Sequence, residues 1–340
     1  MFDPIKASKE IKDSYIDYIT TTFDMADTDY EREFRKELQT DGMVASGPFL
    51  DIGGSYETGH TLRELIQAQK ASVLFERLEP VAEKERELKL DRPLYQHQET
   101  AMLKADKGEN LVVTTGTGSG KTESFLLPII NHLLREQEAG TLSAGVRAII
   151  IYPMNALAND QMKRMRALFK NYPQICYGVY NGNTEHTQSK ALAEYHRTYH
   201  DEAGEPIDPA PNEIISREVM QERPPHILIT NYSMLEYMML RPKDDAVFSG
   251  AKLKFIVLDE AHIYKGATGM ETSLLMRRLR ARISEPDSVQ YILTSATLGG
   301  PDADGDILSF AEKLCGVAFQ RSGICLLYTS PSPRDISGSR

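Results

Sequence analysis

From about Arg92 onward, short apolar runs alternate with amphipathic stretches of helix length. The apolar runs fall at 110–115 (NLVVTT), 146–152 (VRAIIIY), 176–180, 226–230 (HILIT), 253–258 (LKFIVL) and 290–294 (QYILT). The amphipathic stretches include 121–137, 155–170 and 267–283. Runs rich in β-branched residues and separated by helices predict an α/β fold whose mostly parallel sheet carries helices on both faces. Residues 184–224 are polar and contain EAGEPIDPAPNE, so they read as an insertion, part helix and part loop. Residues 1–90 are helix-biased and charge-rich, broken by a Gly-containing patch at 47–59, and read as an accessory segment. The pattern stops at 321. Residues 322–340 (SGICLLYTSPSPRDISGSR) are dominated by Ser, Pro and Gly, continue no helix or strand period, and read as an unstructured tail. That tail resembles a translated sequencing-adapter end. The expected division is therefore 1–90, 91–321 and 322–340.

Composition narrows the class by exclusion. The chain has 340 residues, 41% hydrophobic and 26% charged, which is ordinary globular usage. No stretch approaches the roughly 20 apolar residues of a membrane span, and no apolar signal core follows the N-terminus. Cys176, Cys315 and Cys325 lack CxxC spacing, so neither a disulfide framework nor a zinc site is expected. A reducing, cytoplasmic setting follows. The net charge of −10 argues against a general polyanion binder but leaves local contacts to a nucleic-acid backbone open.

Two motifs carry chemistry. At 115–122, T-G-T-G-S-G-K-T sits between a buried strand and a helical pattern, close to the P-loop pattern but with Thr115 in place of its first glycine. In such a loop, backbone N–H groups of Thr115, Gly116, Thr117, Gly118, Ser119 and Gly120 cradle phosphate oxygens at a helix N-terminus. Lys121 neutralises the β/γ phosphates and Thr122 offers a hydroxyl to Mg²⁺. The glycine spacing is not that of a dinucleotide fold. At 253–262, LKFIVLDEAH ends an apolar strand in two carboxylates. Asp259 is expected to hold the Mg²⁺ shell, and Glu260 to orient and deprotonate an attacking water. Both motifs fall at strand C-termini, where open α/β sheets bind ligands. A nucleoside triphosphatase using Mg²⁺ is expected.

The order of signals resembles the first RecA-like lobe of superfamily 2 DEAD/DEAH-box helicases. R-P-L-Y-Q-H-Q (92–98) resembles their adenine-reading motif, with Tyr95 to stack on the base and Gln98 to pair with its edge. D-E-A-H (259–262) and S-A-T (295–297) resemble the later motifs, which adds His262, Ser295 and Thr297 to the catalytic set. YPMNALANDQ (152–161), YNGNT (180–184) and TNYSMLEY (230–237) resemble the nucleic-acid contacts. Pro153, Asn155, Asn159, Gln161, Gly182, Thr184, Thr230 and Asn231 are the candidates, each with helix capping as the competing role. These three segments, with DEAHIYKGATGMETSLLMRRL, narrow the resemblance to MrfA/YprA-type and Lhr-like bacterial DNA helicases, including those of phage-defence clusters.

The resemblance covers about residues 80–320. It implies an ATP-dependent helicase or translocase lobe acting on DNA rather than RNA, with no membrane partner. It also implies a second RecA-like lobe and C-terminal domains in the longer protein, without which the fragment is expected to be inactive. A duplex-DNA translocase of a restriction or phage-defence system, or a truncated non-catalytic nucleotide- or DNA-binding module, would use the same motifs. The basic run Arg277, Arg278, Arg280 and Arg282 is either a backbone contact or a solvated helix face.

Overall fold

The computed structural model describes residues 3–23, 25–40, 42–46, 56–79, 88–116, 119–170, 172–249, 251–296 and 304–326. The chain divides into two compact units, Met1–Ser55 and Tyr56–Arg340.

The first unit holds the helices Pro4–Thr22 and Thr28–Gln39. Asp3 and Asp27 cap them: each carboxylate accepts two N–H groups that have no intrahelical partner. An Asp17–Arg35 ion pair ties one helix to the other.

The second unit contains a two-stranded antiparallel pair and an eight-stranded sheet. In chain order the strands are β1 (Thr58–Thr61), β2 (Pro93–Tyr95), β3 (Leu111–Thr114), β4 (Ala148–Tyr152) and β5 (Tyr177–Tyr180). They continue with β6 (Glu213–Ile214), β7 (Ile227–Asn231), β8 (Phe255–Leu258), β9 (Gln290–Ser295) and β10 (Ile324–Leu326). The large sheet runs β10-β3-β9-β8-β4-β7-β5-β6, with every pairing parallel. Alternate residues of each strand feed two cores. Val113, Ile150, Ile229, Val257 and Ile292 pack under the helices Gln96–Asp106, Lys121–Glu138 and Asn155–Phe169. Val112, Ile151, Leu228, Ile256 and Leu293 pack under Tyr232–Leu240, Gly266–Arg282 and Asp304–Cys315. Both faces are buried, which is why these strands read as unbroken apolar runs.

All six expected strands are present, and three features differ from expectation. The break after the N-terminal segment lies at Ser55, not Leu90. Residues 56–79 join the sheet unit: β1 pairs antiparallel with β2, and Leu62, Leu65 and Phe75 are buried in the first core. Thr61 and Glu64 form a capping box that starts the short helix Leu62–Gln67. The Ser72 N–H donates to Asn131 Oδ1 at 2.8 Å. The insertion at 184–224 supplies the helix Gln188–Thr198 and the edge strand β6, which is too short to show a period. The tail expectation is corrected at its start: Ile324, Cys325 and Leu326 pair with Val112, Val113 and Thr114, and Cys325 is buried. The apolar triplet fits the open edge of β3, a feature that the Ser/Pro/Gly count of the whole segment conceals. Residues 327–340 and most of the patch at 47–59 lie outside the described residues.

Candidate nucleotide site and nucleic-acid edge

The strands β3, β8 and β9 lie side by side, so their C-terminal ends bring three motifs together. Thr115, just after β3, donates its N–H to Ser295 O at 3.1 Å. The buried Ser119 Oγ lies 2.7 Å from Thr115 Oγ1 and 2.8 Å from Gly116 O, which closes the loop on itself. Gly120 has φ +74°, a left-handed conformation that favours glycine. Lys121 and Thr122 then open the helix Lys121–Glu138, whose first N–H groups have no intrahelical acceptor. Thr117 and Gly118 lie outside the described residues.

Beyond β8 the backbone turns sharply. Glu260 sits at φ 48°, ψ 48°, a left-handed conformation that costs a non-glycine residue about 1–3 kcal/mol. Its carboxylate is held at both oxygens: Oε1 is 3.3 Å from Lys121 Nζ and Oε2 is 3.3 Å from His262 Nδ1. His262 Nδ1 in turn lies 3.2 Å from Ser295 Oγ. Thr294, fully buried on β9, donates its hydroxyl to Asp259 Oδ1 and accepts the Glu260 N–H at 3.3 Å. Burial pushes the Asp259 carboxyl above its ordinary range and the charge of Glu260 adds to this, while the Thr294 hydrogen bond and Lys121 oppose it. Thr294 was not singled out in the sequence, and Thr297 lies outside the described residues.

At the adenine-motif end, Tyr95 N–H donates to Gln98 Oε1 at 2.9 Å, and Gln98 Nε2 donates to Gly120 O at 3.0 Å. The buried Gln98 amide therefore links the Tyr95 turn to the phosphate loop. Tyr95 stacks on the buried His97 at 5.8 Å and meets the edge of Tyr56 at 5.5 Å. Burial lowers the His97 pKa to about 4. Glu99 anchors β1 by accepting His60 N–H at 2.7 Å and pairing with His60 Nδ1 at 2.8 Å.

The nucleic-acid candidates gather at the ends of β4, β5 and β7, and they separate into two groups. Pro153, Asn155, Asn159, Gly182 and Asn231 are partly or fully exposed. Asn231 Oδ1 caps the helix Tyr232–Leu240 by accepting Met234 N–H at 2.7 Å, and its Nδ2 donates to Asn155 Oδ1 at 2.8 Å. The expectation of surface contact is corrected for three side chains. Thr230 is fully buried and donates to Tyr180 O at 2.7 Å. Thr184 is buried, donating to Val179 O at 2.8 Å and accepting Asn181 N–H at 2.9 Å. Gln161 is 9% exposed, with its Oε1 buried. Thr230 lies within a strand covered on both faces, Thr184 is turned inward by the hydrogen bonds of its own loop, and Gln161 lies on the helix Asn155–Phe169 packed against the first core.

The arginine run serves the fold. Arg278 pairs with Glu236, Arg280 with Asp287 and Arg282 with Asp245, and Arg277 donates to Ser273 O and Lys313 O. Among the described residues no cluster of three or more His, Cys, Asp or Glu could hold a metal, and no helix is long and apolar enough to cross a membrane.

A lysine-bearing glycine loop at the end of β3 and an Asp-Glu pair at the end of β8, one strand apart on a parallel sheet covered on both faces, define the RecA-like class of P-loop nucleoside triphosphatase lobes. Within that class the chain belongs to the DEAD/DEAH box helicase family, which matches residues 95–203 and 204–304. It is 32% identical to Druantia protein DruE of Escherichia coli, covering 91% of this chain and 21% of that protein. It is 31% identical to the uncharacterized ATP-dependent helicase YprA of Bacillus subtilis, covering 64% of this chain and 24% of that protein. The chain thus spans about a fifth to a quarter of these relatives' lengths. Two solved structures share the fold. The DUF1998 helicase MrfA bound to DNA has a TM-score of 0.56 at 24% identity, covering 81% of this chain and 29% of that one. The DEAD-box helicase Mss116 bound to ssRNA and UDP-BeF has a TM-score of 0.55 at 18% identity, covering 80% and 46%.

Proposed function

We propose that this chain is the ATP-binding lobe of an ATP-dependent DNA helicase or translocase, which hydrolyses ATP when a second RecA-like lobe closes on it. The observation that carries the reading is the Lys121–Glu260 ion pair at 3.3 Å, which joins the phosphate-loop cation to the carboxylate suited to activate water. In this reading Lys121 leaves Glu260 to reach the β/γ phosphates. The freed carboxylate then accepts the proton of the attacking water, while His262 and Ser295 keep it oriented. Tyr95 and Gln98 bind the adenine. Thr122 and Asp259 present a hard, all-oxygen donor set that suits Mg²⁺, which would supply charge neutralisation at the phosphates. DNA as the strand draws support from the DNA-bound helicase of the same fold. Pro153, Asn155, Asn159, Gly182 and Asn231 contact its backbone.

The test uses the protein carrying both lobes. Lys121→Ala is expected to weaken ATP binding. Glu260→Gln is expected to keep binding and lower DNA-stimulated turnover by about 10²–10⁴-fold, the usual effect of losing a general base. Turnover in Glu260→Gln above a third of the parent rate would remove the assignment.

A further inference from the structure

A second concavity opens beside the nucleic-acid edge. It is a cleft of about 170 Å³ between the helix Asn155–Phe169 and the insertion helix Gln188–Thr198, bounded by the Asn181–Glu185 loop and β6. Met162, Val179, Ala191 and Ile214 supply apolar wall, while Asn159, Asn183 and Thr198 carry polar groups at exposed positions. Among the described residues, the side-chain amides of Asn159 and Asn183 have no partner. Arg166 is the one cation of the lining. Its Nε and Nη2 grip Glu213 at 2.7–3.0 Å, and its guanidinium lies 4.4 Å from the ring centre of Tyr199 and 5.3 Å from that of Tyr195. Glu185 and Glu194 add further carboxylates.

Charge selects the ligand. With Arg166 paired to Glu213, Glu194 paired to Arg197 and Glu185 adding a carboxylate, the lining offers phosphate no free cation and favours an uncharged group. Its volume is well below the roughly 300–1,000 Å³ of a drug-sized ligand pocket. Apolar walls, aromatic rings and free amides match a single planar base carrying hydrogen-bond donors and acceptors. Asn159 and the 181–184 loop belong both to this cleft and to the proposed nucleic-acid edge, so a strand on that edge passes its mouth.

We propose that this cleft receives one unstacked base of the bound single strand, giving the lobe a base contact beside its backbone contacts. The inference rests on the DNA-binding reading above.

The experiment places 2-aminopurine at successive positions of a short single-stranded DNA and titrates it with the 340-residue chain. One position is expected to give a distinct fluorescence response, and an abasic site there is expected to raise Kd roughly 5- to 150-fold, the range for one base–aromatic contact. Thr198→Trp fills the mouth and is expected to raise Kd for the intact strand to the same level, with no further loss on the abasic strand. Ala193→Trp, on the same helix outside the cleft, is expected to bind like the parent. Asn183→Ala, at the exposed rim, is expected to weaken the position-specific response and serves if the tryptophan variant fails to fold. A uniform response along the strand, or parental affinity in Thr198→Trp, would overturn the base site while leaving DNA binding intact. If the parent chain binds no single strand, the DNA-binding reading and this inference fall together.

Discussion

Thr294 and Thr230 are both fully buried threonines near the C-terminal ends of parallel strands, yet they serve different ends of the sheet. On β9, the Thr294 hydroxyl joins the carboxylate of Asp259 to the backbone of Glu260. On β7, the Thr230 hydroxyl closes on the carbonyl of Tyr180 in the neighbouring strand. The candidate nucleotide end brings Lys121, at the start of its helix, to the turn after β8, where Glu260 lies within 3.3 Å of both Lys121 and His262 and Asp259 is held by Thr294. The nucleic-acid edge is built from neutral amides and hydroxyls that hold its own loops in shape. In the proposed reading, one end serves chemistry and the other presents backbone. A sequence-blind contact to a phosphate chain suits the second arrangement, because backbone N–H groups and neutral polar side chains position such a polymer without reading its bases.

The largest expected effect on stability tests whether the candidate nucleotide end stores a burial cost as well as charge. His97 lies buried behind Tyr95 with a pKa lowered from 6.5 to about 4. The unfolded chain therefore takes up a proton at His97 near pH 6.5, whereas the folded chain resists it until about pH 4. Stability present above pH 6.5 is lost as pH falls through that window, by at most about 3 kcal/mol from this residue. Urea unfolding at several pH values between 7 and 4 is expected to show a shallower loss in His97→Gln than in the parent. Parallel profiles would mean that His97 is not shielded and that the two ends differ less than their contacts suggest.

Thr294→Val comes next. The substitution keeps shape and burial but removes the hydroxyl shared by Asp259 and Glu260. Groups that orient acidic ligands around a metal typically matter 10–100-fold in affinity or activity. DNA-stimulated turnover in the two-lobed protein is expected to fall by that factor, with a higher Mg²⁺ concentration needed for half-maximal turnover as its companion signature. Parental turnover would show that the acid pair holds its geometry without Thr294.

Much of the nucleotide site is legible in the residue order because its motifs are contiguous and strand-terminal: T-G-T-G-S-G-K-T ends β3, and D-E-A-H follows β8. Thr294 is not legible that way, since its role requires β9 to lie beside β8, and strand order is a property of the packed sheet. Tyr56, His60 and Glu99 escape for a related reason: β1 joins the adenine-motif turn across more than thirty residues of intervening chain. β6 and β10 are too short to show a period of two. At the nucleic-acid edge the residue types were readable but their exposure was not. Ser, Thr, Asn and Gln suit both phosphate contact and internal capping, and only the fold decides between them. It leaves Asn159 and Gly182 in solvent and turns Thr184 and Thr230 inward.

The smallest effect is expected at Thr230, and its smallness is the point. Thr230→Val removes one buried hydroxyl and leaves the Tyr180 carbonyl short of a donor. The expected result is about 1 kcal/mol of lost stability, the usual net worth of one intramolecular hydrogen bond. In a protein unit of this size that corresponds to a melting-point decrease of a few degrees. Affinity for single-stranded DNA is expected to stay within twofold of the parent, because a fully buried side chain offers the strand nothing to touch. Asn159→Ala is the matched contrast: it removes an exposed amide from the same edge and is expected to weaken binding with little change in melting temperature. Should Thr230→Val lose DNA affinity while Asn159→Ala keeps it, the strand would have to reach inside the edge, and the distinction between a reactive end and a presenting edge would fail.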